Sequence, residues 1–162
     1  MQGSDRADRW MMQRAGSGCY LCPTGLAKNA DITLIATLAI STLYLTLDQR
    51  FRGNSVLVLA DHVTGLDALA EGAYTAYMHD LRLSVIAIRE SLQPDHMNIA
   101  LLGNTCPHLH WSIVPRYRDD CRWGRPVWEE SLLQDMRDRP VTLADVDRSN
   151  VVEQIRGQLG RK

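Results

Sequence analysis

Between Asn104 and Tyr117, two imidazoles and a hydroxyl alternate with bulky apolar groups: His108, His110 and Ser112 against Leu109, Trp111 and Ile113. In an extended strand, alternate residues share a face. The apolar side then anchors the strand in a core while the polar side fronts a cleft. Near neutral pH an imidazole can serve as a nucleophile or as a metal ligand. Two of the five histidines in the chain sit here. A second constellation is Cys19 and Cys22, spaced as CxxC. That spacing offers two thiolates to one tetrahedral metal but leaves half the shell unfilled. An unligated thiol pair and a redox pair are the competing readings.

The elements that would carry these residues follow from pattern. Ile32 to Ala39, Thr42 to Leu47 and Ser55 to Ala60 are rich in β-branched and aliphatic residues and are expected as strands. Asp48 to Asn54 is expected as a loop. After His62, Leu66, Leu69, Ala73, Tyr77, Leu81, Val85, Ile88 and Leu92 recur at steps of three and four. They predict one long helix, capped by Thr64 and ended before Pro94. Met97 to Leu102 is expected as a strand, Gly103 to Pro107 as a turn, and His108 to Val114 as the motif strand. Met136 to Asp147 reads as linker, and Ser149 to Leu159 as a short helix capped by Ser149. The sum is an α+β domain on a mainly antiparallel sheet. The expected organisation is a polar lead-in over 1–18, helical only around Trp10 to Arg14, a domain over 19–130, and an extension over 131–162.

Composition narrows the role. The chain has 162 residues, 45% hydrophobic and 23% charged, with a net charge of -1. No basic stripe speaks for nucleic acid. The longest apolar region, Ile32 to Leu47, is too short and too rich in threonine for a membrane span. The N-terminus has no apolar core of a secretory signal. A cytoplasmic location is expected, with the four cysteines as thiols or metal ligands rather than disulfides.

The motif resembles the signature of the histidine triad (HIT) superfamily, in which three histidines alternate with apolar residues, preceded by a glycine turn and followed by Pro-Arg. The order of features from Cys19 to Tyr117 agrees as well: CxxC, two strands, a strand ending at His62, a long helix, a strand bearing Asn98, then the motif. The resemblance implies a five-stranded antiparallel sheet with one long helix, usually paired into a homodimer. It implies hydrolysis or transfer of nucleoside monophosphate groups by attack at the α-phosphorus. The middle histidine, here His110, would be the nucleophile, forming a labile nucleotidyl-histidine. Gly103, Asn104 and Thr105 match phosphate-contacting positions, and Asn98 one near ribose and phosphate. The zinc-bearing branch adds two histidines to the CxxC pair, which implies structural zinc on Cys19, Cys22, His62 and His108.

Ser112 departs from this pattern, because the third histidine stands there in most members and assists the leaving group. Serine is shorter, uncharged and a poor acid at pH 7. The leaving group could need no proton, another group could supply it, or the chain could be slow or repurposed. The hexose-1-phosphate uridylyltransferases carry glutamine there and still work through the middle histidine. Two rivals to a nucleotide hydrolase or nucleotidyltransferase therefore stand: a non-catalytic nucleotide-binding protein, and a specialised biosynthetic enzyme reusing the pocket.

Smaller expectations attach to other residues. Arg116 is read as a phosphate neutraliser or a surface ion pair. The segment Arg122 to Trp128 is read as a strap, with a stacking lid as the alternative. Trp111 is read as core, Cys106 and Cys121 as ordinary thiols, and His79 and His96 as structural or solvated. Asp48 and Arg52 are weak candidates for contact with base or ribose.

Overall fold

The computed structural model describes residues 2–129, 134, 136 and 139–161. The boundary expected between residues 130 and 131 lies outside them. Five strands, β1 (Ile32–Thr37), β2 (Ser41–Thr46), β3 (Ser55–Leu59), β4 (His96–Ala100) and β5 (His110–Arg116), form one sheet in the order β1-β2-β3-β5-β4. All four pairings are antiparallel. The helices are α1 (Gln2–Arg14), the single turn α2 (Pro23–Leu26), α3 (Glu71–Leu92) and α4 (Asp145–Leu159). The expected α+β class, five-stranded sheet, long helix and C-terminal helix are all present.

One sheet face is covered by α3 and α4. Leu43, Leu45, Leu57 and Ile113 from the strands meet Tyr77 and Ile88 of α3 and Val151 and Ile155 of α4, all essentially inaccessible. Each such aliphatic side chain contributes about 1.5–3 kcal/mol by leaving water. Asp80 of α3 is also fully buried and accepts from the Ile40 amide and the Ser41 hydroxyl, at 3.0 and 2.7 Å, which ties the β1–β2 turn to the helix.

Three helix starts differ from expectation, each for a physical reason. The long helix starts at Glu71 with Ala70 as its N-cap, not at Thr64. Leu66 and Leu69 still pack on the core, but from a 3-10 turn over Leu66–Ala68. The delay leaves Val63 outside any helix, so that the Leu109 amide can donate to the Val63 carbonyl at 2.7 Å. Second, α4 begins at Asp145 rather than Ser149, with Asp145 and Asp147 complementing its N-terminal dipole. Third, the lead-in is helical from Gln2, with Asp5 in its first turn and Arg14 in its last.

The opposite sheet face carries His110, Ser112 and Val114, and among the described residues the short turn α2 reaches it only at Tyr44, Val56 and Val58, through Leu26. The segment after β5 folds back on this face, burying Val127 beside Phe51 and Val114, with Trp128 and Met136 packed against them. The expected strap is the form this segment takes, and Trp128 also faces the pocket below.

Candidate active site and metal cluster

β5 starts at His110, one turn of alternation later than expected, and His108 sits in the bend before it. The parity nevertheless holds. Leu109, Trp111 and Ile113 join the core, while His110, Ser112 and Val114 line a cavity of about 260 Å³. The register sets Ser112 between Val56 of β3 and Ala100 of β4. Gly103, Asn104 and Thr105 close one end of the cavity, and Phe51, Val127 and Trp128 form an apolar wall. Gly103 has φ +65°, a left-handed conformation that glycine adopts without strain and that turns the chain from β4 into the motif.

His110 is held by its own strand. Its Nδ1 lies 2.7 Å from the His108 carbonyl, so Nδ1 carries the proton and Nε2 keeps the lone pair. Burial lowers its pKa, an effect only partly offset by that carbonyl, so the neutral nucleophilic form is favoured.

Cys19, Cys22, His62 and His108 come together as a cluster whose donor atoms all lie within 4.8 Å of one another. The Nδ1 atoms of His62 and His108 are 3.2 Å apart, Cys22 Sγ is 3.3 Å from His62 Nδ1, and Cys19 Sγ is 3.5 Å from His108 Nδ1. A tetrahedral ion with ordinary metal–nitrogen and metal–sulfur bonds would space such donors by roughly 3.3–3.8 Å, close to these contacts and to the 3.7 Å between Cys22 Sγ and His108 Nδ1. Both outer nitrogens are oriented: His108 Nε2 donates to the Leu59 carbonyl at 2.8 Å, and His62 Nε2 to the Arg14 carbonyl at 3.3 Å. Burial and the adjacent Cys19 sulfur push the Cys22 thiol up to about 11, an arrangement that a cation at the centre would reverse. Burial likewise lowers the pKa of His108.

Not every expected site residue meets at the cavity. Arg116 is 3% exposed and spends all five of its donors at once. Nε and Nη2 grip Asp120, Nη1 reaches Asn98 Oδ1 at 2.7 Å and the Arg125 carbonyl at 2.9 Å, and Nη2 also donates to the Arg122 carbonyl at 2.5 Å. Arg116 and Asn98 line a separate hollow with Trp123, where they stitch the strap to the sheet. The surface ion pair considered for Arg116 is instead a buried network. Asp48 is buried and accepts from the amides of Arg50 and Val141, and Arg52 is exposed. It is their neighbours Phe51 and Asn54 that line the cavity. His79 is exposed on α3, and exposed His96 begins β4 rather than lying in a loop. Cys121 is an exposed thiol, whereas Cys106 is buried with its sulfur 3.7 Å from that of Cys19, so it belongs to the wall of the metal cluster.

Sequence reasoning placed helix only around Trp10 to Arg14 and gave it no part in the site. Trp10 Nε1 donates to the Gly103 carbonyl at 3.0 Å, fastening the N-terminal helix to the glycine turn. An isolated tryptophan in a polar helix was the only signal.

The fold that carries this site is found in known proteins. A histidine triad protein from Bradyrhizobium japonicum superposes with a TM-score of 0.71 at 25% identity, covering 83% of this chain and 93% of its own. The chain has the histidine triad fold. A zinc-bound histidine triad family protein from Mycobacterium smegmatis gives a TM-score of 0.58 at 20% identity, with 89% and 94% coverage. A hypothetical histidine triad nucleotide-binding protein from Sulfolobus tokodaii gives 0.64 at 13% identity, with 88% and 93% coverage. No protein-family model matches the sequence, and no curated protein does. Among the described residues, no helix is long and apolar enough to cross a membrane.

Proposed function

We propose that this chain cleaves or transfers a nucleotidyl group, with His110 Nε2 attacking the α-phosphorus of a nucleoside phosphate derivative. The observation that carries the reading is the 2.7 Å contact between His110 Nδ1 and the His108 carbonyl, on a histidine that lines the cavity. It fixes the tautomer and aims the other nitrogen, which is what a neutral nucleophile needs. Asn104, Thr105 and the amides of the Gly103 turn are the donors for the phosphate oxygens. Phe51, Val127 and Trp128 provide the apolar wall for the base. Ser112 faces the scissile bond as a hydrogen-bonding group. Asn98 and Arg116 serve this site indirectly, by holding the strap that carries Val127 and Trp128.

Zinc is the ion the four-ligand cluster suits, since two sulfurs and two imidazoles fill a tetrahedron and leave no open position. Its role is structural: Cys19, Cys22, His62 and His108 would hold it, and it staples the N-terminal segment to the strand end that presents His110. The zinc-bound histidine triad neighbour supports this assignment. Edge strand β4, with Ile99 exposed, is the element through which a homodimer would extend the sheet. The free cysteines suit a reducing compartment such as the cytoplasm.

The test is single-turnover labelling with a nucleoside 5′-aryl phosphate, followed by mass spectrometry of the acid-quenched protein. A nucleotidyl adduct on His110 is expected, together with a loss of turnover of about 10⁴-fold or more in His110→Ala. Turnover that survives this substitution would end the reading. Tight nucleotide binding without any adduct would favour a binding protein on the same scaffold.

A further inference from the structure

Ser112 and α1 together say what kind of leaving group this pocket accepts, an inference that rests on the His110 reading. Among the described residues lining the cavity, His110 is the only titratable side chain. The other polar groups there, such as Ser112, Thr105, Asn54 and Asn104, are hydroxyls and amides, which are very weak acids. Neither nitrogen of His110 can donate to the departing group. Nδ1 is bonded to the His108 carbonyl, and Nε2 is the attacking atom. Tyr20 touches Thr105 Oγ1 at 3.4 Å but does not line the cavity.

Adjoining the same turn lies a trough of about 550 Å³ between α1 and residues Leu102 to Pro107. The two spaces share Leu102, Gly103 and Asn104 as walls. Among the described residues lining the trough, Arg6 is the one that is charged, and none is a carboxylate. Trp10, locked onto the Gly103 carbonyl, and the exposed side chains of Met11 and Leu102 give it an apolar floor.

We propose that the trough is the leaving-group subsite, and that it selects substrates whose leaving group departs as an organic anion with a flat or apolar body. Arg6 supplies the counter-charge and Trp10, Met11 and Leu102 the seat. The bond between Nε2 and phosphorus forms as the bond from phosphorus to the leaving oxygen breaks. The electron pair stays on that oxygen, which leaves unprotonated as a carboxylate, phosphate or acidic phenolate. The adduct is an imidazolium that keeps its Nδ1 proton on the His108 carbonyl. Water then forms the new bond to phosphorus, the electron pair of the breaking nitrogen–phosphorus bond returns to Nε2, and the proton of the water passes to solvent. Amines and alcohols, which must be protonated to leave, are excluded.

The experiment uses a series of adenosine 5′-aryl phosphates, from dinitrophenol to unsubstituted phenol, beside an adenosine 5′-alkylphosphoramidate. In the wild-type protein, adduct formation is expected to fall about tenfold for each unit of leaving-group pKa, with no turnover of the amidate. Ser112→His is expected to flatten that slope and admit the amidate. Arg6→Gln is expected to raise KM about fivefold more for an ester bearing a ring carboxylate than for one with an uncharged ring, as one ion pair at an open site allows. A shallow slope in the wild type, amidate turnover matching that of the nitrophenyl ester, or an equal effect of Arg6→Gln on both esters would overturn the proposal. Failure of even the dinitrophenyl ester to label His110 would refute the nucleophile itself, a separate outcome that removes the inference with it.

Discussion

His62 and His108 meet edge-on, their rings 85° apart and their Nδ1 atoms 3.2 Å from each other, with a cysteine sulfur beside each. Two imidazole nitrogens turned toward one point are the arrangement a shared cation stabilises. The protein is expected to purify with one zinc per chain. Cys22→Ser and His62→Ala are each expected to abolish that stoichiometry and to cost about 3 kcal/mol, roughly 10 °C in Tm. Elemental analysis and calorimetry read the two effects separately. Full stability after complete removal of metal by chelation would show that the cluster does not staple the fold.

The strap over the cavity depends on a different pair. Asp120 is buried, which by itself raises its pKa. The Arg116 guanidinium and the amides of Tyr117 and Arg122 outweigh that and hold the carboxyl below its ordinary value. The folded pKa is therefore lower than the unfolded one. The pair's contribution is complete above the ordinary carboxylate range and is lost as pH falls through the depressed folded value. The acid limb of the stability curve should reflect this, with strap release visible in the fluorescence of Trp123 and Trp128. Asp120→Asn is expected to cost about 3 kcal/mol at neutral pH, because it leaves Arg116 buried without its counter-charge. It should also flatten the acid limb. An unchanged acid limb in the variant would assign that limb to other carboxylates.

The positions of these residues were unequally visible in the chain. Alternation from His108 to Ile113 was readable because a strand has a strict period of two, and burial of one face leaves a single admissible register. The stripe from Ala73 to Leu92 was readable for the same kind of reason. Thr64 misled because apolar residues at steps of three suit a 3-10 turn followed by an extended linker as well as a helix. What decides between them is the long-range hydrogen bond from the Leu109 amide to the Val63 carbonyl, just beyond the ends of β3 and β5. The wall formed by Val127 and Trp128 lies in a segment without periodicity. The five-fold engagement of Arg116 and the packing of Val127 on Phe51 and Val114, contact sets with no local signature, hold it in place. Pro-Arg after the motif marked Arg116 as notable but gave no hint that its charge would be spent inside the protein.

The contact between Trp10 and Gly103 spans 93 positions and links a helix outside the sheet to the turn that would bind phosphate. Trp10→Phe keeps an aromatic floor in the trough but removes the donor to the Gly103 carbonyl. One neutral hydrogen bond of this kind contributes about 1 kcal/mol, so the fold should survive with Tm lowered by only a few degrees. The effect on the site should be larger in kind. With the Gly103 carbonyl released, the amides of Asn104 and Thr105 lose part of their fixed orientation, and preorganised donors are what stabilise charge on a transferring phosphoryl group. The expected result is a fall in kcat of about 5- to 10-fold with little change in zinc content. Trp10→Ala should add a rise in KM for aryl esters, because the ring itself is lost. If Trp10→Phe matches the wild type in kcat, α1 serves the trough alone and the turn is rigid without it.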